Sequence, residues 1–355
     1  MVTGLALCAL LACSDDGTDP GEPPAFAPTS PALLSTGSPT KDEDPSVIRA
    51  RDGSMVVAWF SDRGANAGDI YITRTTNGAD WAPAVRVTTS VDGDFYPQLF
   101  QDDAGTFHLV WFRWYAFERG HIMHNTSTSA LTWNTADEDT VTADADVDDW
   151  VPSVTGAGDS LLVFFVSNVR DAVNATNEVY MTSRPPGGTS WSAPVKVPGV
   201  NSATEHDHLP FAAWTGSEFT LAWVRHDTSQ PSPWLNPPPN SQLYFATSPT
   251  GALWSAVARI TNEAAPIVNV FPQLYRRQDG AWRILWLSTR AGAAAVFELP
   301  FANTGVYPTG IVKNTSLQPG YSHRIAPTPT PGVYLGAWVQ GPEGAQEIYY
   351  RYFAN

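Results

Sequence analysis

The hexapeptide Asp94-Phe95-Tyr96-Pro97-Gln98-Leu99 recurs almost unchanged as Asn269-Val270-Phe271-Pro272-Gln273-Leu274. Each copy has the same sequel. A charged turn follows, Asp102-Asp103-Ala104-Gly105 or Arg277-Gln278-Asp279-Gly280, and then a short apolar run ending in Trp111 or Trp286. Weaker copies begin at Pro45, Pro152, Pro210 and Pro327, so the starting prolines step by 52, 55, 58, 62 and 55 residues. A unit of that length cannot bury an apolar face alone, and six of them imply a repeat architecture whose members pack on one another.

Inside a unit the segments are short. The first runs Pro45 to Arg49, turns at Arg51-Asp52-Gly53-Ser54, continues as Met55 to Phe60, then Asp69 to Arg74, then Ala84 to Thr88. Each is rich in β-branched and aromatic residues and bounded by Gly, Asp or Asn, the signature of strands joined by tight turns. Composition agrees: 30 Pro, 27 Gly and 14 Trp accompany only 15% charged residues, too few for long surface helices. Four short antiparallel strands per unit predict an all-β fold, a six-bladed β-propeller. The sixth unit ends one strand short, while the isolated stretch Pro31 to Thr36 belongs to no unit. Residues 31–36 are therefore expected to complete the last blade as its outer strand, closing the ring without a missing partner. The propeller is expected over 31–355, with blades starting near 45, 97, 152, 210, 272 and 327.

Trp59, Trp111, Trp223, Trp286 and Trp338 fall at equivalent places in the second strand, and Trp81, Trp133, Trp191 and Trp254 after the third turn. Both sets read as core, because large flat rings fill the space in and between stacked sheets. The turns Thr76-Asn77-Gly78-Ala79-Asp80-Trp81 and Thr250-Gly251-Ala252-Leu253-Trp254 resemble the Asp-box (BNR) repeat of sialidase-like propellers. The Gly-to-Trp spacing matches, while the upstream acid is out of place, so the copies are degenerate. The resemblance covers roughly residues 40–353 and implies a fold, not a chemistry.

The first residues carry an address. Leu5 to Ala12 is apolar but too short to span a bilayer as a helix. It ends in Leu10-Leu11-Ala12-Cys13, which resembles the lipobox of bacterial lipoproteins. That implies a signal peptide over 1–12, lipidation of Cys13 and a place in the bacterial cell envelope, periplasm-facing or surface-exposed. Of the two cysteines, Cys8 would leave with the signal, so no intramolecular disulfide is expected. Residues 13–30, rich in Asp, Pro, Gly and Thr, read as a flexible tether. The net charge of −15 and the lack of any Lys/Arg run exclude binding to a nucleic-acid backbone.

Function is expected at the mouth where the innermost strands begin. Three residues before each starting proline stand Asp42, Asp94, Asp149, Asp207, Asn269 and Arg324, which would ring one central opening. Neighbours add Asp44, Tyr96, Asp148, Trp150, His206, His208, Tyr321 and His323. Longer second loops add Arg113-Trp114-Tyr115, and Arg225-His226 through Trp234 to Asn240. Aromatics beside carboxylates and arginines are a common way to hold sugars. The expected ligand set is Asp42, Tyr96, Arg113, Trp114, Trp150, Arg225, His226, Asn269, Tyr321 and Arg324, for a carbohydrate bound in the funnel by a monomer. Two alternatives stand beside this reading. A glycoside hydrolase needs two carboxylates, for which Asp94, Asp149 and Asp207 are candidates. A non-catalytic scaffold would bind a surface protein instead. His206 and His208 could share one side of a strand as metal ligands; the acidity admits a calcium ion, and no cofactor is required. His323-Arg324-Ile325-Ala326-Pro327 resembles the Arg-Ile-Pro element of the sialidases, with one residue extra. That resemblance implies Arg113, Arg225 and Arg324 on a substrate carboxylate and Tyr321 as the tyrosine of a Tyr–Glu pair, though no Glu accompanies it.

Overall fold

The computed structural model describes residues 26–35, 41–64, 67–115, 119–144, 147–168, 170, 176–228, 240–302, 311–313 and 320–354. Six four-stranded antiparallel sheets form the blades of a propeller. Blade one is Asp42–Arg49, Met55–Ser61, Asp69–Thr75 and Val85–Arg86, paired in that order. The innermost strands of blades two to six are Gly93–Gln101, Asp149–Ala157, Glu205–Trp214, Asn269–Arg276 and Tyr321–Pro327. Each first strand descends from the upper face and each second strand climbs back, so the loops between strands two and three share the upper face with the strand starts.

The ring closes as expected. Ala32–Leu33 pairs with the last strand, Glu347–Ala354, placing Ala32 opposite Tyr350 and Leu33 opposite Tyr349. Ser35 reinforces the seam: its hydroxyl donates to Glu347 and accepts from the Ile348 amide. The packed part of the chain begins earlier than position 31. Phe26 is buried, 5.4 Å from the Tyr352 ring, and its amide donates to Thr330 Oγ1. It also lies over Gly78, whose φ of +76° and lack of a Cβ leave that space open; residues 26–30 thus belong to the fold, not to a tether. Residues 1–12 and Cys13 lie outside the described residues, as do 116–118, Trp234 and the proline-rich stretch 229–239. Among the described residues no helix is long and apolar enough to cross a membrane.

All five second-strand tryptophans are fully buried. Four of them pack on the ring directly opposite in strand three at 6.2–6.3 Å: Trp59 on Tyr71, Trp223 on Tyr244 and Trp338 on Tyr349 stacked, and Trp286 on Phe297 tilted. The other set bridges blades. Trp81 packs edge-on against Tyr350 of blade six, Trp191 against His124 of blade two, and Trp254 against Phe164 of blade three. The turns before Trp81, Trp133 and Trp254 share a geometry in which the hydroxyl closing strand three (Thr75, Ser127, Ser248) accepts from the amide three residues on. That residue, Gly78, Ala130 or Gly251, takes positive φ.

The innermost strands share one irregularity. Asp44, Tyr96, Val151, Leu209, Phe271 and Ser322 all have φ between +49° and +53°, and the pairing register breaks at each. A bulge of this kind re-aims a side chain that simple alternation would have placed otherwise. In five blades the residue that follows is the starting proline. In blade six it is His323, so Pro327 closes that strand instead of opening it. The repeat frame read from the prolines is therefore displaced by four residues there. One position further on, a side chain stitches each of three blades to the next: Ser46 accepts from the Leu99 amide, Ser153 from the Ala212 amide, and Gln273 bonds both Ile325 N–H and C=O.

Candidate functional site

The expected ring of carboxylates is drawn back into the blades. Asp42, Asp94, Asp149, Asp207 and Asn269 are all fully buried. Asp94 receives Trp111 Nε1 at 2.7 Å, Arg113 Nε at 2.7 Å and Arg113 Nη2 at 3.0 Å. Asp207 receives Trp223 Nε1 at 2.7 Å and Arg225 Nε at 2.6 Å, and Asn269 receives Trp286 Nε1 at 3.0 Å. Asp149 is gripped by Arg170, and Asp42 by Arg63. The arginine lies in the last part of strand two (Arg113, Arg225) or just after it (Arg63, Arg170, Arg290), and in five blades it also lies over the second-strand aromatic, as Arg63 does over Trp59 and Arg290 over Trp286. This is a structural clamp repeated around the ring. A buried carboxylate needs such partners, because desolvation alone pushes Asp207 up to about 6 against the pull of Arg225. Asp94, Asp149 and Asp207 thus have no exposed surface and are held by arginines of their own blades, Arg113, Arg170 and Arg225.

Blade six breaks the clamp. By the corrected frame its carboxylate position is Gly320, where a Cβ would lie 2.2 Å from the Val339 carbonyl oxygen and 2.9 Å from Trp338. Trp338 Nε1 donates to Gln340 instead. Beside this blade, between blades five and one, the upper mouth opens into a cavity of about 740 Å³, a size suited to a small ligand.

The bulge residues set its chemistry. Three in succession are polar, Ser322, Asp44 and Tyr96, while Val151, Leu209 and Phe271 are apolar. Asp44, Tyr96, Phe271 and Ser322 line the cavity, joined by Glu43 and Tyr321. The bulge lets consecutive Glu43 and Asp44 both face it. Burial, then the adjacent Glu43, raise the Asp44 carboxyl to about 7; the Ser322 hydroxyl, donating at 3.0 Å, Arg324 and Lys41 only moderate this. Glu43 accepts the Tyr321 hydroxyl at 2.9 Å and pairs with Lys41 Nζ at 2.7 Å. The Tyr96 hydroxyl is buried with no partner among the described residues, and so is available to a ligand. Beneath the cavity Arg324 is half-buried in the channel, its guanidinium lowered to about 10 by desolvation. It lies 5.7 Å from the Phe211 ring, beside a void of only about 10 Å³.

Of the expected ligand residues, then, Tyr96 and Tyr321 line the cavity and Arg324 sits below it. Trp114 packs on Phe95 at 6.3 Å, and Trp150 is core. His226 is buried between His206 and His208, with ring centroids at 5.0 and 4.6 Å. His206 and His208 do share one side of their strand, but among the described residues no group of three His, Cys, Asp or Glu side chains is arranged to hold a metal. Glu43 and Ser322 were missed. Their signal is the bulge position, which is Asp44 just before Pro45 with Glu43 preceding it, and Ser322 just before His323, where blade six carries no proline.

The sequence matches no protein-family model and no curated protein. Solved structures resemble the fold at low identity. An α-L-arabinofuranosidase of Fusarium graminearum in complex with arabinobiose is 14% identical with a TM-score of 0.67, covering 92% of this chain and 98% of that one. A Penicillium chrysogenum α-L-arabinanase, also complexed with arabinobiose, is 12% identical with a TM-score of 0.67 and the same coverage. A Hadza microbial sialidase is 12% identical with a TM-score of 0.58, covering 88% of this chain and 65% of that one. The shared feature is a propeller common to several carbohydrate-active enzymes.

Proposed function

We propose that the protein is a glycoside hydrolase that cleaves a neutral saccharide in the upper cavity, with Asp44 as general acid. The observation that carries the reading is the pair of consecutive carboxyls facing one cavity in different environments. Asp44 is held partly protonated near neutral pH, and Glu43 is oriented by Tyr321 and Lys41. A carboxyl raised toward neutral pH beside a second carboxylate in the same cavity is the arrangement that acid catalysis of glycoside cleavage uses. Asp44 would protonate the departing glycosidic oxygen, with the Ser322 hydroxyl fixing its rotamer. Glu43 would supply the negative charge opposite the developing oxocarbenium ion, and the free Tyr96 hydroxyl would donate to a sugar oxygen.

Sialic acid is a poor fit. Arg113 and Arg225 clamp Asp94 and Asp207, and Arg324 lies below the cavity against Phe211, so these three arginines do not converge on one substrate carboxylate. The arabinobiose complexes of the structural relatives make arabino-oligosaccharides the first substrates to assay. Reducing-sugar release that falls about 10²-fold or more in both Asp44→Asn and Glu43→Gln, with folding intact, is the expected result. Saccharide binding without turnover in the unmutated protein would replace this reading with a lectin-like one. A preparation active in both variants would overturn the assignment of the pair.

A further inference from the structure

The central channel has a second opening, at the far ends of the innermost strands. There a cavity of about 490 Å³ is bounded by residues of all six blades. It is separate from the upper one, because Arg324 over Phe211 and the packed bulges leave only the small void between them.

Its chemistry is the opposite of the upper cavity's. Three arginines (Arg49, Arg51 and Arg276) and one aspartate, Asp103, line the lower opening, whereas Glu43, Asp44 and Glu343 against Lys41 line the upper. Asp103 is engaged by Arg51. Arg49 and Arg276 are exposed, and among the described residues each bonds only a backbone carbonyl, of Thr328 at 3.4 Å and Gly280 at 3.2 Å. In a chain with 35 acidic and 20 basic residues, an opening rimmed by unpaired arginine runs against the average surface. Two tryptophans, Trp214 and Trp282, stand half-exposed at the same rim. Neither belongs to the two repeated sets that build the core, so the repeat itself does not account for them.

We propose that this lower mouth is a second binding site, for an acidic saccharide bearing carboxylate groups. The indole faces offer flat platforms to sugar rings, and the two free guanidinium groups offer forked donors that match carboxylate geometry. The opposite charge of the two openings means that they accept different ligands, one neutral and one anionic.

The test is calorimetric titration of the full chain with trigalacturonic acid, with a neutral arabinotriose arm and an inorganic phosphate arm. The expected result is binding of the acidic trisaccharide, weakened about tenfold or more by Arg276→Gln and by Trp282→Ala, while hydrolysis at the upper cavity is unchanged in both. Arg276 is exposed, so its substitution leaves the melting temperature in place and keeps the test valid if Trp282→Ala folds poorly. Absence of binding up to millimolar concentration overturns the proposal. So does binding that Arg276→Gln leaves intact, equal binding of the neutral trisaccharide, or displacement by phosphate at the same concentration.

Discussion

Ser322 donates its hydroxyl to Asp44 Oδ1 at 3.0 Å across the seam where the last blade meets the first. The two residues are 278 positions apart, yet they occupy the same bulge of neighbouring blades, with φ of +52° and +53°. The contact joins closure of the ring to the chemistry of the upper cavity, since a propeller that opened at this seam would lose both together.

Asp44 should show itself in pH dependence. Its folded pKa, about 7, lies above the ordinary 3.8. The folded state therefore holds the extra proton, and the associated stability is fully present below about 3.8 and lost as pH rises through 7. Asp44→Asn, permanently neutral, should gain several degrees in melting temperature over the unmutated protein as pH goes from about 5 to 8. Hydrolysis should fall over the same range in the unmutated protein as the acid is lost. Melting curves and pH–rate profiles check both.

Asp94 and Asp207 should behave as structural groups. Asp94→Ala leaves the buried Trp111 Nε1 without its acceptor and Arg113 with Glu138 alone, a change that costs about 2–3 kcal/mol. Denaturant unfolding should show that loss. Activity per folded molecule should stay near that of the unmutated protein, unlike that of Asp44→Asn.

Phe26 marks the true start of the domain. Phe26→Ala removes a buried ring from between Tyr352 and the Gly78 turn, worth about 3 kcal/mol or more. A chain starting at residue 26 should melt with the full-length protein, and one starting at 36 should melt well below it. Equal melting points for these two truncations would contradict the closure of blade six by residues 26–35.

The histidines of blade four should make the protein acid-sensitive. Burial lowers His206, takes His208 well below the ordinary 6.5, and brings His226 to about 4. The unfolded chain then binds more protons than the folded one between about 6.5 and 4, so stability drops as pH falls through that window. Replacing His208 and His226 with Gln should flatten the slope of melting temperature against pH in that range.

The lipidation of Cys13 that the lipobox resemblance implies would carry a geometric prediction. Phe26 bonds Thr330 in the turn between the first two strands of blade six, on the face opposite the upper cavity. A lipidated chain would therefore present the upper cavity away from the membrane and the arginine-rimmed mouth toward it. Cell fractionation of Cys13→Ser should move the protein from the membrane to the soluble fraction.

The prolines and tryptophans determined the architecture on their own. A repeated proline before a short apolar strand, and a tryptophan at a fixed distance, are local signals, and each is stated independently by five of the six units. The spare strand at the start followed from counting. The choice of functional carboxylates did not follow in that way. Asp94 and Asp44 are both acids near a starting proline, and no local pattern says that one turns inward to Trp111 and Arg113 while the other faces a cavity. That depends on an arginine placed opposite by the end of strand two and on the bulge that reverses side-chain direction within two residues. It depends also on Gly320 leaving blade six without a clamp. These are contacts between segments roughly 20 to 280 positions apart. Burial, charge partners and the raised pKa of Asp44 exist only once the ring has closed.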